Sequence, residues 1–362
     1  MKILFVTPFL PSNKGAGSLY TKMLLEELSK EHDVDLFYFH YRNDGEYIPI
    51  NNRVRIVGHR CVNMLSKLIS IICLPYLFPL FTARFNWRVC LKLRKLVKDN
   101  NYDYIYLDFS QTFSYSLFIK HHNIILMSHD VILQRYTRAR SKFLWWIKWT
   151  ESYLLKKGTA VFTFSQKDSI WLKDKYGINS RPTAFFLSND VVTAIPQEIG
   201  NYYVFMAGWS RYDNYEALDW FIENVIDNID SKISFKIIGG GMPVYLLKKI
   251  ETYGNVHYLG FVDNPYPIIA NAIAEIAPLH YGAGVKVKCV EALACGTPII
   301  GTDVAFEGID EKFLTYSVLA NTPEDYVSAI NNLNVSLAKK INNKKKFLSN
   351  YNNKSILSYI RN

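Results

Sequence analysis

The chain has 362 residues, a length that predicts two domains rather than one. Hydrophobic residues make up 49% of it and charged residues 20%, which excludes a largely disordered chain. Its 42 Lys and Arg residues outnumber its 32 Asp and Glu residues. This net charge of +10 favours an anionic partner, which could be a nucleotide, a phospholipid surface or a nucleic acid.

Apolar runs alternate with helical patterns through the first half of the chain. KILFVTPF predicts a strand, SLYTKMLLEELSKEH a helix, and DVDLFYFH a second strand. The runs YDYIYLDF, NIILMSHD and TAVFTFS repeat the strand signal, and helix-compatible stretches separate them. Near-continuous apolar strands spaced by helices are typical of a parallel sheet that is covered on both faces. We therefore expect a Rossmann-like domain over residues 1–188, with ligands beyond the carboxyl ends of its strands.

Two stretches of this half could touch a membrane. Leu68 to Ala83 carries no charge, but it is shorter than a membrane span and contains Pro75 and Pro79. We predict no transmembrane segment there, and a buried or a membrane-touching helix pair remain the alternatives. A second stretch combines tryptophans with lysines and suits either a helix packed beneath the sheet or a membrane interface. Its members are Lys142, Trp145, Trp146, Lys148, Trp149, Lys156 and Lys157.

The pattern lapses at residues 189–200, which are polar with one proline and suit a linker. It then restarts with YYVFMAG as a strand and NYEALDWFIENVIDNI as a helix, and four further strand runs follow. We expect a second Rossmann-like domain over residues 201–340. Residues 341–362 are predicted to form a helical tail that packs back toward the first domain. The lysine run KKINNKKK there is either a solvated face or a contact with anionic lipid.

Two glycine-rich turns could approach an anion. The GAGS turn at residues 15–18 precedes a helix, whose N-terminus presents free N–H groups. A plain tight turn is the alternative, and a dinucleotide fingerprint is excluded because Tyr20 stands where it needs glycine.

The second turn lies in PLHYGAGVKVKCVEALACGTPIIGTD, where Lys286 and Lys288 follow the glycines and suit a diphosphate. Glu291 is one helical turn further and could accept from ribose hydroxyls, or it could form an exposed pair with Lys288.

Other kinds of site find little support. The sequence contains no HExxH motif, no Cys and His cluster with zinc spacing and no GxSxG elbow. Asp33 and Asp35 lie at the start of a strand, whereas a parallel sheet binds its ligands beyond the carboxyl ends of the strands. We therefore predict no metal site and no cofactor, and the absence of an RRM, KH or zinc-finger pattern disfavours nucleic acid. Five cysteines without a CxxC pair indicate reduced thiols in a cytoplasmic protein.

Several motifs together resemble a known family. From YYVFMAGWSRYDNYEALDWF through GFVDN to PLHYGAGVKVKCVEALACGTPII, the second half is similar to the donor-binding domain of family-4-type (group 1) retaining glycosyltransferases. The first half resembles the acceptor domain of that family in its glycine-rich turn, in SHD and TFSQKD, and in LSND. The resemblance implies the GT-B fold, in which two Rossmann-like α/β domains with parallel sheets face each other across a cleft.

The resemblance also implies an activity. Members of this family transfer a sugar from a nucleoside diphosphate sugar, keep its anomeric configuration and usually need no metal. We expect a hexosyltransferase that acts on a saccharide or lipid-linked acceptor in the biosynthesis of cell-surface polysaccharide or glycoconjugate. The expected location is the cytoplasm, with peripheral contact between the protein and the anionic inner face of the plasma membrane.

Residue roles carry over from the family by position. Glu291 matches the second glutamate of the E-x7-E motif, which holds the donor ribose. Lys286 and Lys288 match basic residues that neutralise the leaving diphosphate, and Arg211 matches a phosphate ligand, with a surface charge as its alternative. His129 matches a histidine that contacts the transferred sugar, and a satisfied strand-end histidine is its alternative. The other substrate-binding positions that the resemblance implies are Gly15, Gly17, Gly239, Gly240, Phe261, Val262, Gly282, Ala283, Gly284 and Val285.

One position departs from the family pattern. The first glutamate of E-x7-E should stand at position 283, where this chain has Ala283. Backbone amides of Gly282 to Val285 could take over part of its contact with the sugar. The departure leaves a second hypothesis open, in which the chain is a non-catalytic subunit that binds a sugar nucleotide or serves as a scaffold in a glycan-assembly complex.

Overall fold

The computed structural model describes residues 1–13, 15–351 and 355–361. The chain divides into two compact units. Unit 1 comprises Met1–Phe186 together with the last helix, and unit 2 comprises Leu187–Tyr351.

Unit 1 is built on a parallel sheet of seven strands in the order β3-β2-β1-β4-β5-β6-β7. The strands are β1 (Lys2–Thr7), β2 (Asp33–His40), β3 (Val54–Cys61), β4 (Tyr104–Asp108), β5 (Ile124–Ser128), β6 (Ala160–Thr163) and β7 (Arg181–Pro182). The helices are α1 (Ala16–Leu28), α2 (Met64–Cys73), α3 (Pro79–Thr82), α4 (Trp87–Asp99), α5 (Ile132–Arg138), α6 (Leu144–Leu155) and α7 (Gln166–Tyr176), with a 3₁₀ helix at Ser110–Leu117.

Unit 2 is built on a parallel sheet of six strands in the order β10-β9-β8-β11-β12-β13. The strands are β8 (Tyr202–Met206), β9 (Ser234–Ile238), β10 (Val256–Gly260), β11 (Glu275–Ala277), β12 (Ile299–Gly301) and β13 (Val318–Leu319). The helices are α8 (Asn189–Thr193), α9 (Tyr212–Asn224), α10 (Val244–Ile250), α11 (Tyr266–Asn271), α12 (Val287–Ala294), α13 (Pro323–Asn332) and α14 (Leu337–Asn350), with 3₁₀ helices at Ile226–Asn228 and Glu311–Phe313. Helix α15 (Ser355–Arg361) belongs to unit 1.

The central strands are apolar because helices cover both faces of each sheet. Ile3 to Val6 of β1 and Ile105 to Leu107 of β4 are completely buried, and these two strands pair in parallel. In unit 2 the same holds for Ile299 and Ile300 of β12, which pairs with β11. The prediction of two Rossmann-like parallel-sheet domains is confirmed. In both sheets the first strand lies inside the sheet, so a crevice opens beside it at the carboxyl ends.

The C-terminal segment agrees with the predicted tail in its last helix only, because α15 belongs to unit 1 whereas α14 belongs to unit 2. Helix α14 spans the expected boundary after residue 340, and two lysines of the KKINNKKK run are buried rather than solvated or lipid-facing. Lys344 Nζ donates to the carbonyls of Val191 and Ala294 at 3.0 and 2.9 Å, and Lys340 Nζ donates to the carbonyl of Ala272. These carbonyls lie at the C-terminal ends of α8, α12 and α11, where the helix dipole favours a cation. Helix α14 is therefore an integral part of unit 2.

The boundaries of the predicted linker also differ. Residues 189–200 are not simply an extended connection, since α8 occupies Asn189–Thr193 and belongs to unit 2. Its N-cap, Ser188, accepts from the amide of Val191, and Val191 is completely buried. Among the described residues, no helix has the length and apolar character that a membrane span requires.

Candidate donor site in unit 2 and histidine site in unit 1

The glycine loop between β11 and α12 depends on two left-handed residues. The φ angle is 105° at Gly282 and 73° at Gly284, a region that residues with a Cβ rarely adopt. Ala283 and Val285 alternate with these glycines and are half-buried. The loop follows the carboxyl end of a parallel strand and leads directly into a helix. Backbone N–H groups in this setting commonly bind phosphate.

Lys286 is tied to the loop itself. Its Nζ donates to the carbonyl of Gly284 at 2.7 Å and lies 3.8 Å from Oε2 of Glu307, which is buried. These contacts hold the loop against the start of α12. Lys286 therefore supports the loop conformation, besides being placed near any anion that the loop binds. The sequence analysis missed Glu307.

Lys288 lies two residues further along, in the first turn of α12. Its Nζ donates a long hydrogen bond of 3.4 Å to Oδ1 of Asn214 on α9, and its side chain is half-buried. Burial lowers the pKa of Lys288, and the charge of Arg211 lowers it further. An ammonium group that is poorly solvated and weakly bonded gains most from a bound anion. These surroundings of Lys288 are compatible with a bound anion, and its role as a diphosphate ligand stays a prediction.

A buried carboxyl group lies close to Lys288. Glu275 on β11 is completely buried, and neither of its carboxyl oxygens has a hydrogen-bond partner among the residues that the structure describes. Burial raises the pKa of Glu275 to about 8; the charge of Lys288 opposes this shift and that of Glu291 adds to it. Burial of Glu275 thus disfavours its charged form, and the nearby charge of Lys288 favours it. Its position, as the one acidic residue in the apolar run AEIAPLHY, is a signal that the sequence analysis did not use.

Arg211 lies beside the same loop. It is the N-cap residue of α9, and its guanidinium donates to Oδ2 of Asp213 at 3.1 Å while 70% of the side chain stays exposed. The same Asp213 oxygen is 3.8 Å from the place where a Cβ on Gly282 would stand. Arg211 is thus near the loop but paired at the surface, and its role as a phosphate ligand stays a prediction.

Glu291 is not part of an exposed pair with Lys288, the alternative that we considered. It is half-buried, and the hydroxyl of Tyr266 on α11 donates to its Oε1 at 3.0 Å. Burial raises the pKa of Glu291 to about 7, and the hydrogen bond from Tyr266 opposes that shift. A carboxylate held in this way retains free lone pairs for ligand hydroxyls. Tyr266 follows the GFVDN loop, and the sequence analysis missed it.

Two glycines after β9 have different steric requirements. Gly239 has a φ of 123°, and a Cβ there would stand 1.8 Å from the carbonyl oxygen of Ala207. A Cβ on Gly240 would meet its nearest atom, Cβ of Phe261, at 3.8 Å, which is ordinary contact. Phe261 is 76% exposed, whereas Val262 packs against the core. Gly239 therefore brings two backbone segments into close contact, whereas Gly240 has room for a Cβ and Phe261 is exposed.

His129 in unit 1 is fixed by a neighbouring strand. Its Nε2 lies 2.8 Å from Oδ1 of Asp108, and both residues are buried. The other oxygen of Asp108 accepts from the hydroxyls of Thr21 and Thr7 at 2.6 and 3.1 Å. Phe109, which follows Asp108 with a φ of 61°, stacks on the imidazole at a ring-centroid distance of 3.4 Å. The hydrogen bond to Asp108 and the stacked ring of Phe109 together fix the orientation of the imidazole. Asp108 is a partner that the sequence analysis missed.

The glycine turn of unit 1 adjoins this histidine. Gly15 is the N-cap of α1 with a φ of 87°, and a Cβ there would meet nothing within 4 Å. A Cβ on Gly17 would stand 2.7 Å from the ring of Phe109. Gly17 therefore makes room for the ring that stacks on His129. The structure brings Gly15, Gly17 and His129 to one end of the unit 1 sheet, and the remaining predicted site residues belong to unit 2.

The comparisons with known proteins assign both halves of the chain. A family model described as Glycosyltransferase Family 4 matches residues 17–185, and one described as Glycosyl transferases group 1 matches residues 201–334. A search of curated proteins finds no match. In the part of the chain that the structure describes, no group of three or more His, Cys, Asp or Glu could hold a metal ion.

Solved structures of similar fold match over nearly the whole chain. Sucrose-phosphate synthase from Thermosynechococcus elongatus is 14% identical, with coverage of 99% of this chain and 97% of that one and a TM-score of 0.71. S. aureus TarM, in complex with Fondaparinux, alpha-GlcNAc-glycerol and UDP, is 13% identical, with coverage of 99% and 98% and a TM-score of 0.69. A trehalose-6-phosphate synthase, described in work on glycosyltransfer with retention, is 11% identical, with coverage of 99% and 98% and a TM-score of 0.64. Since the two family models match in tandem on two parallel-sheet domains, the chain belongs to the group 1 and family 4 glycosyltransferases and has the GT-B fold.

Proposed function

We propose that this glycosyltransferase moves a hexose-type sugar from a nucleoside diphosphate sugar to a saccharide or lipid-linked acceptor with retention of configuration and without a metal ion. The observation that carries the proposal is the half-buried side chain of Lys288 in the first turn of the helix that follows the Gly282–Val285 loop, with Glu291 on the same helix. A cation, backbone amides and a carboxylate at this spacing suit a diphosphate that is joined to a ribose.

Two relatives support the choice of ligand and stereochemistry. The structure of TarM contains UDP, and the trehalose-6-phosphate synthase structure is described in connection with retention. Both are similar to this chain at low sequence identity, so nucleotide and stereochemistry enter here as proposals. We place the transfer in cell-surface polysaccharide or glycoconjugate biosynthesis, in the cytoplasm and next to the inner face of the plasma membrane.

The proposed chemistry is electrostatic. As the bond between the sugar and the diphosphate breaks, negative charge grows on the leaving phosphate, and Lys288 and the loop amides stabilise it there. The acceptor hydroxyl enters on the face that the leaving group vacates, and its proton passes to a phosphate oxygen of the donor. This route needs no side-chain base.

The test is a thermal-shift screen with UDP, GDP, dTDP, ADP and CMP sugars, followed by assays of hydrolysis and transfer on the donors that stabilise the protein. NMR of the first-formed product gives its anomeric configuration, and the assay is repeated with EDTA. Transfer with retention that survives EDTA is expected. Inversion, or loss of activity with EDTA, would contradict the corresponding part of the proposal.

Ala283 supports a second hypothesis, that of a non-catalytic subunit, because it stands where the family has the glutamate that holds the sugar. A non-catalytic sugar-nucleotide-binding or scaffold subunit would bind one nucleotide sugar without turnover or hydrolysis. The same screen separates the two functions. If neither transfer to an acceptor nor hydrolysis by water is detected with any stabilising donor, the chain is a binding subunit rather than an enzyme.

The pKa of Glu291 predicts how donor binding depends on pH. The ionised carboxylate accepts ribose hydroxyls best, so affinity for the nucleotide sugar should rise as pH increases from about 6 to 8 and level off above it, since the group titrates near 7. The diphosphate of a nucleotide sugar is doubly esterified and does not titrate in this window. Calorimetry at several pH values measures the profile.

Two variants make this pH profile specific to Glu291. Glu291→Gln should bind more weakly at pH 8 and lose most of the dependence on pH. Tyr266→Phe removes the hydrogen bond that opposes the pKa shift, so its midpoint should move to higher pH. A Glu291→Gln profile that is as steep as that of the unmodified protein would assign the dependence to another group.

Asp108 is expected to act as a positioning residue for His129. In Asp108→Asn, the amide cannot offer the same two acceptor oxygens to the imidazole and the threonine hydroxyls, so the ring loses its fixed orientation. We expect kcat to fall by about tenfold to a hundredfold while donor affinity stays unchanged. The double variant Asp108→Asn/His129→Ala should be no slower than His129→Ala alone. Additive losses would show that Asp108 acts independently of the histidine.

A further inference from the structure

Helix α2 presents its apolar side to the outside. Of its ten residues only Ser70 is buried, and the hydroxyl of Ser70 donates to the carbonyl of Phe85 at 2.6 Å. The large apolar side chains form a continuous stripe on the opposite side, because their spacing follows the helical repeat. They are Met64, Leu65, Leu68, Ile69 and Ile72, with exposures between 47% and 75%. A surface helix of a protein that meets only water has the reverse arrangement.

The exposed stripe is linked to exposed tryptophans on α6. The segment after α2 is fastened to α6, since the indole of Trp146 donates to the carbonyl of Tyr76 at 2.7 Å. The ring of Tyr76, 47% exposed, lies edge-on to that of Trp149 at 6.3 Å between centroids. Trp145 and Trp149 are 72% and 47% exposed. We call α2, Tyr76 and the outer side of α6 the α2–α6 face.

The segments of the chain that carry the α2–α6 face are basic. Residues 47–98 contain ten Lys and Arg residues and no Asp or Glu, and residues 131–150 contain five Lys and Arg residues and no Asp or Glu. The one acidic residue of α6, Glu151, is buried. Lys67 lies on α2 beside the stripe, where its ammonium stands over the ring of Tyr41. The exposed Lys148 lies between Trp145 and Trp149 in the sequence of α6. By sequence, unit 1 has 29 basic and 14 acidic residues, which gives it a net charge of +15. Unit 2 has 13 basic and 18 acidic residues, which gives it a net charge of −5. The positive charge of the protein therefore belongs to unit 1.

We propose that the α2–α6 face docks on the surface of an anionic phospholipid bilayer, with its aliphatic and indole side chains inserted among the lipid chains and its lysines near the headgroups. A second copy of the chain is a poor occupant, because two faces of the same strong positive charge repel each other. A nucleic acid is a poor occupant too, since a stripe of Leu, Ile and Met offers neither hydrogen bonds nor stacking. A bilayer surface satisfies both the apolar stripe and the cations.

This proposal deepens the proposed membrane setting and is tested without any transfer assay. The full chain is sedimented with vesicles of phosphatidylcholine alone and of phosphatidylcholine mixed with phosphatidylglycerol. Binding to the mixed vesicles is expected, together with quenching of tryptophan fluorescence by brominated lipid chains. High salt should weaken the binding without abolishing it, because part of the free energy comes from inserted apolar groups.

The decisive variant is Leu68→Gln/Ile72→Gln, which keeps good helix formers at two positions that face solvent. It should remain folded and lose about tenfold or more of its vesicle affinity. The matched control is Val244→Gln/Leu319→Gln in unit 2. Val244 and Leu319 are 69% and 56% exposed, similar to Leu68 and Ile72, which are 56% and 72% exposed. The control should bind as the unmodified chain does.

Three results would overturn the proposal. One is the absence of binding to mixed vesicles, and another is equal binding of Leu68→Gln/Ile72→Gln and the unmodified chain. The third is self-association without lipid that this variant abolishes, which would assign the α2–α6 face to a second copy. In each case the transfer activity from a soluble donor and acceptor is unaffected, so the failure of this inference is separate from that of the proposed function.

Discussion

Replacing Lys288 with methionine is expected to lower kcat for sugar transfer by about a hundredfold to a thousandfold, the usual effect of removing one group that stabilises charge in the transition state. The ammonium is half-buried and donates only a long hydrogen bond to Asn214, so no strong contact inside the protein competes with a phosphate. Methionine keeps an apolar stem of similar shape in the same space. Steady-state kinetics with a saturating donor measures the change.

The fold should survive this replacement. Burial lowers the pKa of Lys288, which means that the folded state disfavours its charge, so the free energy of unfolding should not fall. Lys248→Met is the matched control, because Lys248 is an exposed lysine on α10 of the same unit. It should leave kcat unchanged. A folded Lys288→Met protein with normal turnover would remove Lys288 from the mechanism.

Gly239→Ala is expected to destabilise unit 2 by about 3 kcal/mol or more, one of the largest effects that a single added methyl group can produce. The new Cβ would stand 1.8 Å from the carbonyl oxygen of Ala207, and the φ of 123° is itself unfavourable for alanine. The clash is with backbone, so no side-chain rotation relieves it. Thermal and urea unfolding, followed by the tryptophan fluorescence of the chain, measure the loss.

The adjacent glycine supplies the control for this steric argument. Gly240→Ala adds the same methyl group where the nearest atom is 3.8 Å away. We expect its free energy of unfolding to lie within about 1 kcal/mol of that of the unmodified protein. The pair therefore separates a local clash from a general cost of losing glycine in this loop. Equal stability of the two variants would show that the chain after β9 can move away from Ala207 at little cost.

The main strands of both sheets could be predicted because they are buried on both faces. Runs such as KILFVTPF and YDYIYLDF remain apolar over several residues, and a short apolar run bounded by turn residues is typical of a buried strand. Strand β3 was missed because it lies at the edge of its sheet, where Arg55 and Arg60 are tolerated and the apolar run is broken. Strands β7 and β13 have two residues each, too few for a periodic signal.

The candidate site could be predicted in part. The glycine loop, Lys288 and Glu291 lie within one continuous segment, so local spacing was enough to bring them together. Tyr266 and Asn214 reach this segment from distant parts of the chain, and the register of strands and helices that brings them there is set by packing of the whole unit.

Asp108 was overlooked for a related reason. It ends β4 just as His129 follows β5, and these strands are parallel neighbours in the sheet. Polar residues that end adjacent parallel strands meet at the same sheet edge, so the pairing could have been anticipated once the strand order was known. Sequence order alone does not say which strands are adjacent.

The buried lysines of α14 have a consequence for any attempt to divide the protein. Lys340 and Lys344 occupy the carbonyl ends of three helices, and a Cβ on Gly296 would collide with the backbone of Lys340. An isolated unit 2 fragment that stops before residue 337 would expose those helix ends and the apolar surface beneath them, and it should be recovered only as aggregate. A fragment that continues through Tyr351 retains every one of these contacts, and the same burial should shield both ammonium groups from acetylating reagents that label the surface lysines.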